Sequence, residues 1–301
     1  MPAASAPPPG TALGLTRILS AYTDGRSETS LDPDLRVFVS DLVRPYGLPL
    51  REDLLQEGVG HSYAELAEGL LREAVADGPP VDLLILAFDS PDVRPGAPSS
   101  LALSRSCPGE PLAFALCDQG TAGAFGALRI AAAHHRTGGC RRAVVVLAEQ
   151  TTLHYRPAAP VELPRRHCAV VLVCDEADGI GDTDETDGGA AALGRHGPGP
   201  GGLAVTQEPC AEPESAVNAV HDRVRSAGAD AALLLDTGLA GEPALGDAAT
   251  AVAPGGQPFT GLWTELARAL PAWQARQRPV VVAGLDRRLG VLSTLTLGAG
   301  P

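Results

Sequence analysis

Residues 81–88 (VDLLILAF) constrain the fold more than any other stretch of this chain. The run has strand length and is apolar almost throughout. A strand with one wet face alternates, so a run without alternation is covered on both faces, as a central parallel strand is by helices. Segments 142–147 (RAVVVL), 167–174 (HCAVVLVC) and 280–285 (VVVAGL) share this character, and 291–297 (VLSTLTL) pairs with the last of them. Helical patterns separate them. Ser62-Tyr63-Ala64-Glu65 forms a capping box, and Leu66, Ala67, Leu70, Leu71, Ala74 and Val75 follow at helical spacing until Asp77-Gly78-Pro79-Pro80 stops the helix. Residues 112–116 read as a strand, 118–121 as a turn and 122–135 as a helix. That helix opens on small residues (Ala122, Gly123, Ala124, Gly126, Ala127) suited to close packing. Further on come a strand at 203–206, a helix at 215–227, a strand at 231–235 and a helix at 260–270. Residues 35–39 also read as a strand. Strands and helices alternating twice over predict an α/β layered fold of two pseudo-repeated βα halves, with central helices buried back to back.

Composition narrows the function. The chain has 301 residues, 45% hydrophobic but only 4% aromatic, so its core is built from Ala, Val and Leu. All 23 basic residues are Arg, and the formal charge of −13 argues against nucleic-acid binding, which needs concentrated positive charge. No signal-peptide pattern opens the chain and no apolar run approaches the ~20 residues of a bilayer span, so a soluble, cytoplasmic protein with no membrane association is expected. Cys107, Cys117, Cys140, Cys168, Cys174 and Cys210 lack CxxC spacing and are expected to be buried thiols in a reducing compartment. No ligand spacing suggests a metal. Residues 175–202 are acidic, Gly-rich and without apolar period, so a mobile connector is expected there, dividing an N-terminal half (1–174) from a C-terminal half (203–301). The Pro- and Ala-rich residues 1–10 are expected to fray.

Several motifs together resemble ketoacyl-ACP synthase III, of the thiolase superfamily. VDLLILAFDSPD (81–92) is similar to its strand followed by Thr/Ser-x-Asp, and PLAFALCDQGTAGAFGALRIA (111–131) to its nucleophile turn and buried helix. RAVVVLAEQTT (142–152) resembles the next strand, which closes on an acid. GQPFT (256–260) resembles its Gly-Asn-Thr-Ser turn, and 280–297 its terminal hairpin bearing a Gly-rich floor. The resemblance runs from about Gly14 to the end. It implies a thiolase-like fold and acyl-thioester chemistry on coenzyme A or a phosphopantetheine carrier, with no tightly bound cofactor. It also implies a dimer, formed with a second copy or with a ketosynthase paralogue.

The departures bear on activity. The family's nucleophilic Cys sits where Thr121 stands, its His falls on Asp236-Thr237, and its Asn falls on Gln257; Asn218 is the sole Asn and lies in a predicted helix. Condensation needs a thiol to hold the acyl group and donors where negative charge develops, and each lost donor costs ~10²–10³ in rate. Thr121 can be an acyl acceptor or a helix cap, and residue preference favours the cap. Cys117 can replace the missing thiol or be an inert buried Cys, which free Cys favours. Asp118 and Gln119 can face a thioester or make ordinary turn bonds. His154 is the candidate base for Thr121, against the plainer reading of an exposed loop His. Arg165-Arg166 and Arg287-Arg288 can meet phosphates or simply solubilise. Two main functional readings follow: a non-catalytic partner subunit of an active ketosynthase, and an acyltransferase using Thr121 or Cys117 with His154; a third, ranked below them, is a small-molecule binding module that keeps the pantetheine tunnel without turnover.

Overall fold

The computed structural model describes residues 11–94, 98–178, 202–210 and 212–298. Its strands are β1 (Thr11–Thr23), β2 (Leu83–Ala87), β3 (Leu112–Leu116), β4 (Arg142–Glu149), β5 (His167–Asp178), β6 (Leu203–Pro209), β7 (Ala232–Leu235), β8 (Ala251–Val252), β9 (Val280–Asp286) and β10 (Val291–Leu297). Its α-helices are α1 (Glu28–Leu31), α2 (Pro33–Val43), α3 (Glu52–Glu57), α4 (Tyr63–Val75), α5 (Ser99–Ser104), α6 (Gly123–Arg136), α7 (Pro213–Ala227), α8 (Thr237–Ala240), α9 (Pro243–Gly246) and α10 (Gly261–Gln274).

Two five-stranded sheets form, ordered β1-β5-β4-β2-β3 and β6-β10-β9-β7-β8. The orders are the same permutation, and the strand senses agree. β2 lies parallel to β3 and β4, as β7 does to β8 and β9; the strand pairs β4–β5 and β5–β1 are antiparallel, as are β9–β10 and β10–β6. The pseudo-repeat read from the alternating pattern is therefore present strand for strand.

Burial explains why the apolar runs do not alternate. β2 and β4 are buried at every position. One face of the first sheet (Ile85, Val145, Leu147, Val170, Leu172) joins α6 and α10 in a central core, with Phe125 edge-on to Trp263 at 5.0 Å between ring centroids. The other face (Leu84, Val144, Val146, Val171) packs on Leu66, Ala67, Leu71, Ala74 and Val75 of α4. The second sheet repeats this with α7, through Ala216, Val220, Leu233 and Val281. Helix–sheet–helix–sheet–helix layering results, with α6 and α10 in the middle. The capping box at Ser62 is formed: Ser62 Oγ accepts from the Glu65 amide, and Glu65 Oε2 accepts from the Ser62 amide at 2.7 Å.

The structure corrects three sequence expectations. Residues 35–39 are not a strand but the middle of α2. Asp32 caps its N-terminus by accepting from the Asp34 amide, Pro33 supplies the first turn, and Leu35, Val39 and Val43 bury at helical spacing. The missing first strand is β1, whose polar residues hid it. Residues 175–178, assigned to the connector, continue β5 and pair with β1 up to Thr11; the rest of 175–202, like residues 1–10, falls outside the described residues apart from Gly202. Finally, five of the cysteines are buried, but Cys117 is exposed because the edge strand β3 ends there.

Candidate functional site

Parallel strands aim their C-terminal ends at the N-termini of the helices that follow, and this edge is where α/β folds collect function. Here both halves turn that edge toward the junction of α6 and α10. The residues delivered to it are Asp89 after β2, Cys117 to Gln119 after β3, Glu149 ending β4, Asp236 after β7 and Asp286 ending β9.

The turn before α6 is bent tightly. Asp118 has φ +60° and Gly120 φ +51°, and a 3₁₀ turn over Gly120–Ala122 leads into the helix. Thr121 stands at its head, half-buried. Its backbone N–H donates to Asp286 Oδ2 at 2.9 Å, and its hydroxyl donates to the same oxygen at 3.4 Å. Asp286 Oδ1 accepts from the Leu289 amide at 2.8 Å, so both carboxylate oxygens are engaged. The carboxylate lies so close over Gly120 that any Cβ there would collide with it, which is one reason for a glycine at that position. Arg288 reaches Asp89 at 3.4 Å across the same opening. Burial raises the Asp89 carboxyl above its ordinary range, with Arg288 opposing that shift.

Across the junction α10 begins in the same way. Glu149, buried, accepts from the Phe259 amide at 3.0 Å, from the Thr260 amide at 3.1 Å and from the Thr260 hydroxyl. It also accepts from Gln257 Nε2 at 2.8 Å. Burial raises its carboxyl pKa, and these donors pull it back. The two arrangements are crossed. The fourth strand of the first sheet holds the helix of the second half, and the fourth strand of the second sheet holds the helix of the first. Thr121 with Asp286 and Thr260 with Glu149 are pseudo-symmetric mates. Neither acid was singled out from sequence as a site residue, although each ends a Val-rich strand at the same place in its half (VVVLAE and VVVAGLD), a signal available by laying one half on the other.

Of the three residues that the sequence resemblance led us to expect at the His and Asn positions, Asp236 and Gln257 bond within the scaffold. Asp236 Oδ1 accepts from the Leu239 amide at 2.7 Å, capping α8, and Oδ2 accepts from the Leu285 amide at 2.7 Å. Burial raises its pKa, against these bonds. Thr237 is exposed in the first turn of α8. Gln257 is buried; its Oε1 accepts from the Arg166 amide at 2.9 Å while Nε2 donates to Glu149 and to the Arg166 carbonyl.

Other candidates divide. Asp118 and Gln119 are exposed in the turn beside Thr121. Cys117 donates its S–H to Asp118 Oδ2 at 3.3 Å, and partial burial together with that carboxylate pushes the thiol pKa up, away from thiolate. His154 is not an exposed loop residue and is not bonded to Thr121. It is buried, with Nε2 2.8 Å from the Val59 carbonyl and 3.3 Å from Ser30 Oγ, and Nδ1 has no partner. Burial lowers its pKa. The segment carrying α1–α3 folds over it, which nothing in its own sequence neighbourhood signals. His61 and His167 lie nearby in sequence elements of the same end, ring centroids 4.8 Å apart. Three of the four paired arginines have side-chain partners within the chain: Arg166 with Asp24 at 3.0 Å and over the Tyr22 ring at 4.2 Å, Arg287 with Glu242 at 3.0 Å, and Arg288 with Asp89. Among the described residues no His, Cys, Asp and Glu group is placed to hold a metal, and no helix is long and apolar enough to cross a membrane.

No protein-family model matches the chain, and no curated protein matches it in sequence. Solved structures do. The tetronic acid condensing enzyme AbyA1 superposes with a TM-score of 0.60 at 17% identity, covering 95% of this chain and 99% of that one. The 3-oxoacyl-(acyl carrier protein) synthase III FabH of Pseudomonas aeruginosa PAO1 gives 0.56 at 15% identity, covering 96% and 99%. The ishigamide ketosynthase/chain length factor gives 0.52 at 15% identity, covering 79% and 80%. At such identities the likeness speaks for architecture, and with the doubled strand order it is decisive there: the chain has the thiolase-type α/β fold of the ketoacyl-ACP synthase III structures.

Proposed function

We propose that this chain is a ketoacyl-synthase-III-like protein of polyketide- or fatty-acid-type secondary metabolism that does not condense acyl groups by itself. It acts in the cytoplasm as a partner subunit of an active ketosynthase, beside acyl carrier protein or coenzyme A thioesters. One observation carries this reading: the head of α6 holds a hydroxyl, Thr121, whose backbone amide is committed to Asp286. Acyl transfer needs a nucleophile and a free donor for the developing oxyanion, and a carboxylate on that donor opposes a second negative charge. Asp236 and Gln257 support the reading, being spent on amides and on Glu149.

An association surface supports the partnership. β3 is an edge strand without charge or proline, and Leu112 is 56% exposed on it, with Leu101 of the adjoining α5 at 49%. Unguarded apolar edges pair with another chain. Co-expression with a Cys-bearing ketosynthase paralogue tests the proposal. The expected result is a stable heterodimer by light scattering and condensation that stops when this chain is omitted. Condensation, or an acyl mass adduct, on the purified chain alone would refute it.

The Thr121 hydroxyl bonded to a carboxylate favours a second reading, acyl transfer from coenzyme A or a carrier protein through Thr121. Under that reading, incubation with acyl-CoA adds the acyl mass, and Thr121→Ala removes it. Cys117 fits this less well, with its thiol held protonated beside Asp118.

A further inference from the structure

We infer that Asp286 is a built-in occupant of the acyl-accepting position, so that the head of α6 is closed by the chain's own carboxylate as well as by the absence of a thiol. This deepens the proposed function, on whose placement of the acyl position it rests, by naming the residue that shuts the site.

The argument starts from the crossed pairs. Thr260 is 0% exposed, so Glu149 at the head of α10 is a purely structural cap in a dry interior. Its mate is placed differently. Asp286 is 6% exposed, but the turn it holds is open: Thr121 is half-buried and Cys117, Asp118 and Gln119 are exposed. Asp286 Oδ2 sits 2.9 Å from the Thr121 nitrogen, the distance at which an acyl oxygen would sit to draw on that amide. The collision that a Cβ at Gly120 would meet shows that the carboxylate fills the space directly over the turn. Asp89 lies close enough to feel its charge, and Arg288, pairing with Asp89, lies 3.3 Å from the same Cβ position. An acyl oxygen gaining negative charge would therefore meet an occupied donor and a negative oxygen in its own place.

The consequence is that a thiol alone will not restore acylation. In the Thr121→Cys variant the introduced sulfur attacks the acyl carbon of an acyl-CoA; the carbon–sulfur bond to coenzyme A breaks, and the thiol proton ends on the coenzyme A sulfur. The oxygen of the tetrahedral intermediate needs the amide at 121, which Asp286 keeps. The test incubates four folded proteins with acetyl-CoA and hexanoyl-CoA and follows intact mass: the natural chain, Thr121→Cys, Thr121→Cys/Asp286→Asn and Thr121→Cys/Asp286→Ala. Thr121→Cys is expected to label slowly. The Ala double variant is expected to label about 10²-fold faster, the worth of one such donor, and the Asn double variant to fall between, losing the charge but keeping an acceptor on the amide. Equal rates for Thr121→Cys and the doubles would overturn the inference, as would doubles that keep the natural circular dichroism spectrum yet stay unlabelled. Should the Ala variant fail to fold, the isosteric Asn variant decides by the same comparison. Failure to bind a ketosynthase paralogue would end the proposed partnership and leave this result standing; equal labelling would end this inference and leave the partnership standing.

Discussion

Removing the Glu149 carboxyl would strand the amides of Phe259 and Thr260, the Thr260 hydroxyl and one N–H of Gln257 Nε2 in an interior that water does not reach. Glu149→Ala should therefore cost about 3 kcal/mol or more, the range for hydrogen bonds to a buried charge left unmade. Asp286→Ala removes the mate in a wetter place and should cost about 1 kcal/mol, like an ordinary cap. Urea denaturation of both variants measures the difference; equal losses would mean that the two ends are equally dry. A second residue effect concerns acid. His167 is buried against His61, and burial, then the His61 charge, lowers its pKa to about 4 while Asp24 opposes the shift; Thr151 bonds its ring. The unfolded chain takes up that proton near the ordinary value of about 6.5. Between those values the unfolded state binds more protons, so stability falls as pH drops through the window. Melting temperatures from pH 7 to about 4 should decline in the natural chain and less steeply in His167→Gln; parallel curves would remove His167 as the cause. What a residue's own neighbourhood encodes was legible at Ser62 and Glu65, which form the expected capping box; Thr121, expected to cap the helix after it, does not, because α6 has no side-chain cap and the Thr121 hydroxyl donates to Asp286 instead. That partner of Thr121 was not legible, since Asp286 lies in the other half of the chain. The burial of His154 was not either, since it is decided by Ser30 and Val59 on a distant segment.

Elements buried on both faces were readable as such: β2, β4, β5 and β9 occupy the segments where apolar runs put them, and β10 pairs with β9 as expected. Elements at the margin were not. β1 mixes Thr16, Arg17 and Ser20 with its apolar residues because part of one face is wet, and residues 35–39 mislead because a short apolar stretch fits a strand or a helix face equally. The small residues opening α6 do bury, as Gly123, Ala124, Gly126 and Ala127, and they let Phe125 meet Trp263 of α10. Trp263 is 1% exposed, and Trp263→Ala should cost about 3–5 kcal/mol by leaving a cavity where the two central helices touch. A loss under about 1 kcal/mol in chemical denaturation would show that α6 and α10 re-pack without it.

For the whole molecule, the repeated permutation of strands means that the chain carries two edges of one kind, β3 and β8, but only β3 is long enough to pair with another chain. Leu112→Lys puts a charge on that edge without disturbing buried packing, and should abolish the proposed pairing with a ketosynthase while leaving the melting temperature nearly unchanged; sedimentation velocity of the mixture reads it. A variant that still associates would move the contact elsewhere. The crossed acids carry a last consequence for how such a molecule comes into being. Since each half closes the opening turn of its neighbour's innermost helix, a half synthesised by itself has no way to finish its own interior. Folding must then wait for the final hairpin, β9 with β10, to emerge, and the protein should be gained or lost as one cooperative unit.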